Sequence, residues 1–300
     1  MKHIVLIICH RVTPALVHTL NEIEATKESF AVVHVDKKCN INEFDFIKHL
    51  DSSVLIEERT LVSWGDVSQI VCMMLCMTYI DKFYDYDYFS VISGDDIFYR
   101  GLNQFNQFLS ENRGREFIGT SNLMGVTGRT AFRFERLYPL SFYDRSSSIR
   151  SKLNRKVTQF LFNIGFLENR NKRPFKKMYK GSNWFTITKE CLGYIILFNE
   201  ENPKYLNYFK NSYCCDEVFF HSIVYNSIFR NNTLAVINNN NDDNVMSCRK
   251  IDWVSGPSFP KVFNENDILN IRDEETFILR KIDSQLDKVS ISRIVNNFNG

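Results

Sequence analysis

Three groups of residues have the types and spacing to do chemistry. The first stands at the ends of apolar runs: Cys9-His10, Asp36-Lys37-Lys38 and Ser93-Gly94-Asp95-Asp96. In an open α/β sheet, ligands bind beyond the carboxyl ends of the strands. An acid at Asp36 can accept a hydrogen bond from a ribose or a base there; the plainer reading is that strand ends are polar because chains turn at them. A divalent cation can be held by an Asp-x-Asp just after a strand: Asp85-Tyr86-Asp87 has that spacing but precedes its strand and so lies at the wrong end, whereas Asp95-Asp96 lies at the right end without the intervening residue, as adjacent acids in turns commonly do. The second group is Asp216-Glu217, opening a helical segment. Acids at a helix start complement its dipole, and a carboxylate such as Glu217 can also take the proton from an attacking hydroxyl. The third is Arg280-Lys281, either a solvated face or two fixed cations for charge developing on a leaving phosphate.

The elements that must position these groups follow from periodicity. Residues 3–9 (HIVLIIC) form a continuous apolar run, the pattern of a strand covered on both faces, and 14–25 carry apolar residues at helical spacing after a proline. Residues 30–35 give a second buried strand, so the chain starts β-α-β and a parallel sheet is expected. Strands are predicted at 53–57, 88–93, 115–119 and 182–188. Helices are predicted at 66–83, 102–111, 189–199, 215–229 and 264–282, with extended chain at 249–254 and 258–263 and a solvated loop at 238–244. The fold class is α/β, a mostly parallel, Rossmann-like sheet flanked by helices. A single domain over 1–300 is expected: a nucleotide-binding half (1–119), a variable basic helical insertion (120–180), an acceptor and catalytic half (181–283) and a C-terminal tail (284–300).

Of the 300 residues, 44% are hydrophobic and 24% charged, ordinary for a globular chain with a sizeable core. A net charge of +2 leaves no global nucleic-acid footprint. The charge is uneven: residues 145–180 hold eleven Lys or Arg against Glu168 alone, a local +10, and the rest of the chain sums to −8. Eight cysteines without a CxxC pair argue against a zinc ribbon, and several lie in apolar runs where a free thiol acts as a small hydrophobe. A reduced, cytoplasmic compartment is expected. The N-terminal apolar run is too short for a signal segment or a bilayer span.

Seven motifs occur in one order: HVDKK at 34–38, SWGDVSQ at 63–69, YFSVISGDD at 88–96, KGSNWFTIT at 180–188, DEVFFHSIV at 216–224, IDWVSGPSFP at 251–260 and FILRKID at 277–283. Together they resemble the family of core-2 and I-branching β-1,6-N-acetylglucosaminyltransferases and peptide O-xylosyltransferases, across residues 3 to 283. The resemblance implies an A-type glycosyltransferase fold, a UDP-sugar donor, inversion at the anomeric carbon, and no cofactor or metal. By the same resemblance Cys9, His10 and Asp36-Lys37-Lys38 look like the uridine and ribose contacts. Glu217 matches the general base, and Lys281, with Arg280 beside it, matches the donor-diphosphate cation. Trp253 is similar to an acceptor-side tryptophan, and Ser93, Asp95, Asp96, Asn183 and Trp184 are expected with it on the acceptor side.

Two features depart from the pattern. The branching enzymes carry a second phosphate-binding arginine upstream of the lysine, and none stands near Ser258. Arg280-Lys281 resembles the xylosyltransferase arrangement instead, yet those enzymes tend to have Asp where this chain has Asn183. The favoured donor is UDP-GlcNAc, with UDP-xylose second. The partners implied are that donor and a glycan or lipid-linked glycan acceptor, as in bacterial surface polysaccharide assembly. A rival of another class is a sugar-binding module without turnover, which would not need Glu217 or Arg280-Lys281. Within the basic stretch, Leu153, Val157, Phe160, Leu161 and Ile164 recur at helical spacing beside Arg150, Lys152, Arg155 and Lys156, and Lys172, Arg173, Lys176 and Lys177 follow. That pattern suits peripheral docking on an anionic membrane face; the alternative is that the apolar stripe packs on the chain's own core.

Overall fold

The β-branched run His3–Cys9 forms β1, buried almost throughout, because helices cover both faces of its sheet. A computed structural model of the chain describes residues 1–143, 148–272 and 275–299; Arg145, at the start of the basic stretch, lies outside them. After β1 come α1 (Pro14–Ala25), β2 (Ser29–Val35), β3 (Ser53–Leu55), α2 (Ser68–Phe83), β4 (Tyr88–Ser93), β5 (Ile97–Phe98) and α3 (Leu102–Glu111). The middle of the chain holds α4 (Phe132–Glu135) and α5 (Ile149–Asn163), followed by β6 (Thr186–Thr188), α6 (Lys189–Glu201), α7 (Pro203–Tyr208) and α8 (Asp216–Tyr225). The last part contains α9 (Leu234–Ile237), β7 (Arg249–Ile251), α10 (Glu265–Leu269), β8 (Ile278–Arg280) and α11 (Lys288–Asn299).

The main sheet runs β3-β2-β1-β4-β6, parallel except for β6, which is antiparallel to β4. This is the mostly parallel α/β sheet that the sequence predicts. Register sets Cys9 beside Val35 and Ile8 beside Ser93, so the first, second and fourth strands end together. One face packs on α2, α6 and α8 through Ile70, Met77, Ile195 and Phe219. The other packs on α1 and α3 through Leu16, Leu20, Leu102 and Phe105. Each such buried side chain contributes about 1.5–3 kcal/mol relative to exposure. Thr13 caps α1 by accepting from the Leu16 N–H at 3.0 Å, and its hydroxyl also donates to the Gly94 carbonyl. The helix start is thereby fixed to the turn after β4.

Several predicted elements differ. Residues 115–119 form no strand but make single bridges, Phe117 with Thr186 and Glu116 with Thr233. Strands shrink to 53–55 and 186–188, and the helix opened by Asp216 stops at Tyr225. The helix expected over 264–282 is instead α10, closed by an Asn264–Asp267 capping box, followed by β8. Ile278 pairs with Phe98 on one side and Arg249 on the other, and Leu279 with Ile97 and Lys250, so two partner strands hold this stretch extended. No strand forms at 258–263; Phe263 makes one bridge, to Ile282. The expected tail carries α11, whose Ile291, Ile294 and Val295 are buried. Among the described residues, no helix is long and apolar enough to cross a membrane.

Candidate active site

The common carboxyl end of β1, β2 and β4 opens into a cavity of about 440 Å³. Its lining includes Cys9, His10, Arg11, Asp36, Lys38, Ser93, Asp95, Arg280 and Lys281. β8 delivers the last two: it pairs with β5 and β7 in a small second sheet, and so brings the end of the chain to the turn after β4. There the acids and bases interlock. Asp95 lies 3.0 Å from Arg11 and 3.1 Å from Lys281, and Asp96 lies 2.7 Å from Arg280. Arg280 also donates to the Ser93 hydroxyl and stands 4.3 Å from the centre of the Trp184 ring. Burial works against ionisation of Asp95, but the charges of Lys281 and Arg11 outweigh it and hold its carboxyl below the ordinary value. Asp36 accepts from the backbone N–H groups of Lys38, at 3.0 Å, and Val62, at 3.4 Å, which ties the turn after β2 to the chain before α2.

A second cavity, about 420 Å³, adjoins the first. Trp64, Gln69, Trp184, Phe259, Pro260 and Arg280 line both, so they form a shared wall. On its far side stands Glu217, in the first turn of α8. Its carboxylate lies 2.5 Å from Arg133 and 3.1 Å from Lys180. Its neighbour Asp216 is buried in the lining of the same cavity and accepts from Asn183 at 2.7 Å and Gln69 at 3.2 Å. Burial, with the charge of Glu217 beside it, pushes the Asp216 carboxyl up to about 7. Two glycines permit this arrangement. Gly119 and Gly181 cross so closely that a Cβ on Gly181 would overlap the Gly119 carbonyl and the buried His221 ring. That crossing sets Lys180, Ser182 and Asn183 against α8, and the Gly181 N–H donates to the Glu217 carbonyl at 3.0 Å.

The sequence-predicted residues therefore divide between two adjoining spaces. Cys9, His10, Asp36, Lys38, Arg280 and Lys281 meet in the first; Lys37 is exposed and lies outside its lining. Ser93 and Asp95, expected on the acceptor side, line the first cavity, with Asp96 buried behind them. Asn183, Trp253 and Glu217 meet in the second, and Trp184 serves both. Sequence reasoning missed Arg11, Arg133, Lys180 and Arg249. Arg11 directly follows Cys9-His10 at a strand end, and Lys180 opens the KGSNW motif, so both carried a signal. Arg133 sits in the loosely patterned insertion and carried none. Arg249 is fully buried, donating to the Trp184 carbonyl at 2.7 Å and the Val91 carbonyl at 3.0 Å, and so holds Trp184 against β4. Burial pushes its guanidinium down to about 10.

The model of the family described as Core-2/I-Branching enzyme matches residues 6–276. No curated protein matches the chain. Among solved structures, S. aureus TarS is similar with a TM-score of 0.29 and 15% identity, covering 48% of this chain and 24% of that chain. The present chain thus spans about a quarter of that protein's length.

Proposed function

The chain belongs to the Core-2/I-branching enzyme family and is a glycosyltransferase, and from that premise we propose that it moves a sugar from a UDP-sugar to a hydroxyl of a glycan acceptor, with inversion and without a metal ion. One observation carries this reading: a cation-lined cavity and a carboxylate-bearing cavity share one wall, and Arg280 stands in that wall. The uridine and ribose are assigned to the strand ends at His10 and Asp36, and the diphosphate to Arg280 and Lys281. The acceptor hydroxyl is assigned to Glu217. Glu217 takes the hydroxyl proton as the oxygen attacks the anomeric carbon, and the bond from that carbon to the diphosphate oxygen breaks. The electron pair leaves on UDP, where Arg280 and Lys281 meet the developing charge. Metal independence is supported by the acids themselves: Asp95 and Asp96 already face Arg11, Lys281 and Arg280.

UDP-GlcNAc is the favoured donor. The adjacency of Arg280 and Lys281 favours UDP-xylose as the second reading. UDP release is the test, measured with UDP-GlcNAc, UDP-xylose, UDP-GalNAc, UDP-glucose and UDP-galactose, with and without EDTA. Preferential turnover of UDP-xylose reverses the donor order. Activity lost in EDTA and recovered with Mn²⁺ moves Asp95 and Asp96 to a metal site. Binding of glycan without UDP release from any donor leaves a sugar-binding module.

A further inference from the structure

α5 presents its apolar stripe to solvent, away from the protein. At 3.6 residues per turn, Ile149, Leu153, Val157, Phe160 and Ile164 share one face, and Leu153, Phe160 and Ile164 are 59%, 61% and 57% exposed. The opposite face is the one that packs: Ser151, Thr158 and Phe162 are buried, and the Phe162 ring lies 5.0 Å from that of Tyr138. Packing of the stripe on the chain's own core is therefore not what the fold does. No acid occurs in the helix, and exposed Arg150, Lys152 and Lys156 flank the stripe. Phe166, just beyond the helix, is 70% exposed.

We propose that this face of α5 docks on the anionic surface of a lipid bilayer, the apolar side chains entering the headgroup boundary and the flanking cations meeting anionic headgroups. An outward apolar stripe with Lys152 and Lys156 along one side and Arg150 on the other is the composition that an interfacial helix needs. Charge selects the occupant, since an anionic leaflet complements a segment whose described residues 148–177 carry nine cations against one acid, with Arg173 paired to an acid outside it, Glu135. The site is mechanically near. Tyr138 also packs on Tyr213, at 5.3 Å, and Tyr213 on Trp64, at 5.7 Å, in the wall between the two cavities. Of the two cations that hold Glu217, Lys180 ends this stretch of chain and Arg133 stands in α4 before it. Docking would set the acceptor-side cavity beside a lipid-linked glycan. The docking itself does not rest on the catalytic reading, and a failure to bind lipid would leave that reading standing.

Co-sedimentation of the full chain with phosphatidylcholine vesicles, and with vesicles containing phosphatidylglycerol, tests this. The wild type is expected to pellet with the anionic vesicles, to stay in the supernatant with the neutral ones, and to be released by high salt. Lys152→Glu with Lys156→Glu should weaken anionic binding by about thirtyfold or more, since each cation near an anionic leaflet counts for roughly 1 kcal/mol. Leu153→Asp with Phe160→Asp should also abolish pelleting, while UDP binding and the circular dichroism spectrum stay unchanged because these side chains are exposed. Equal supernatant recovery with both vesicle types overturns the proposal, as does binding that either pair of changes leaves intact. Concentration-dependent self-association in sedimentation velocity, lost in Phe160→Asp, assigns the face to a second copy of the chain and overturns it equally.

Discussion

Glu217→Gln separates the chemical role of this carboxylate from its structural one. In the resting site Glu217 is a counter-charge, lying 2.5 Å from Arg133 and 3.1 Å from Lys180, and on the proposed reading it is also the base. Gln keeps the shape and removes the charge. Side-chain exposures of 23% for Glu217, 28% for Arg133 and 19% for Lys180 place the cluster between the surface and buried regimes. Losing its charge should therefore cost about 1–2 kcal/mol of stability, well under the cost of breaking a fully buried pair. A domain with an ordinary stability margin stays folded at 25 °C after that loss, so the structural effect alone leaves the rate nearly unchanged. Losing a positioned base costs ~10²–10⁴ in rate. The two roles thus separate by assay: thermal unfolding reads the ion pairs, UDP titration reads the other cavity, and kcat reads the base. The expected result is a lowered Tm, an unaltered Kd for UDP and a kcat reduced at least a hundredfold. Glu217→Asp keeps the charge but withdraws it, and should fall between the two because misplacement by about 1 Å costs on the order of 10² in rate. A Gln variant that keeps more than about a tenth of wild-type kcat refutes the assignment.

Lys281→Ala should weaken UDP binding roughly tenfold, the low end for a charge-assisted contact because the side chain is partly exposed, and slow transfer with it; isothermal titration reading an unchanged Kd would remove Lys281 from the donor site. Asp216→Asn should alter the pH dependence of stability. The Asp216 carboxyl is raised from 3.8 to about 7, so its contribution is fully present below the lower value and is lost as pH rises through the upper one. The variant should accordingly gain Tm relative to wild type between about pH 4 and 7, and parallel Tm curves across that window would contradict the reasoning. Gly181→Ala forces a Cβ into the Gly119 carbonyl and the His221 ring, an overpacking expected to cost about 1–3 kcal/mol and to displace Lys180; an unchanged Tm would show that the crossing can open.

Much of this arrangement was legible in the sequence. Continuous β-branched runs betray strands covered on both faces, so β1, β2 and β4, and the polar groups at their ends, could be placed before any coordinates. What failed were elements whose reason lies elsewhere in the chain. β8 is three residues long, and its partner β5 only two. Neither is long enough to show alternation, and their pairing joins residues 97–98 to 278–279. The helical appearance of 264–282 merges α10 with that strand. Arg133 reads as one more base in a basic insertion until α8 folds against it. Lys37 and Lys38 look equivalent in HVDKK, yet the turn that lets Asp36 accept from the Lys38 N–H leaves Lys37 in solvent and Lys38 in the cavity.

The carboxylates in the first cavity have a physical purpose that their types alone would not suggest. Arg11, Arg280 and Lys281 converge on one turn, and three cations so close would repel one another without intervening anions. Asp95 and Asp96 supply that neutralisation, and they do so unequally. Asp96 is almost wholly buried and is held by the backbone N–H of Ser93 at 2.8 Å as well as by Arg280, so Arg280 is fixed. Lys281 and Arg11, with 32% and 43% of their side chains exposed, share the single carboxylate of Asp95. On the proposed reading, an incoming diphosphate meets one immobile guanidinium already stacked on Trp184 and two cations able to leave Asp95 for it. The fixed cation lines both cavities, whereas the movable ones line the first alone. Such a site aligns the leaving group by the rigid contact and recruits further charge only when the donor has arrived, which a cavity of free cations would not do.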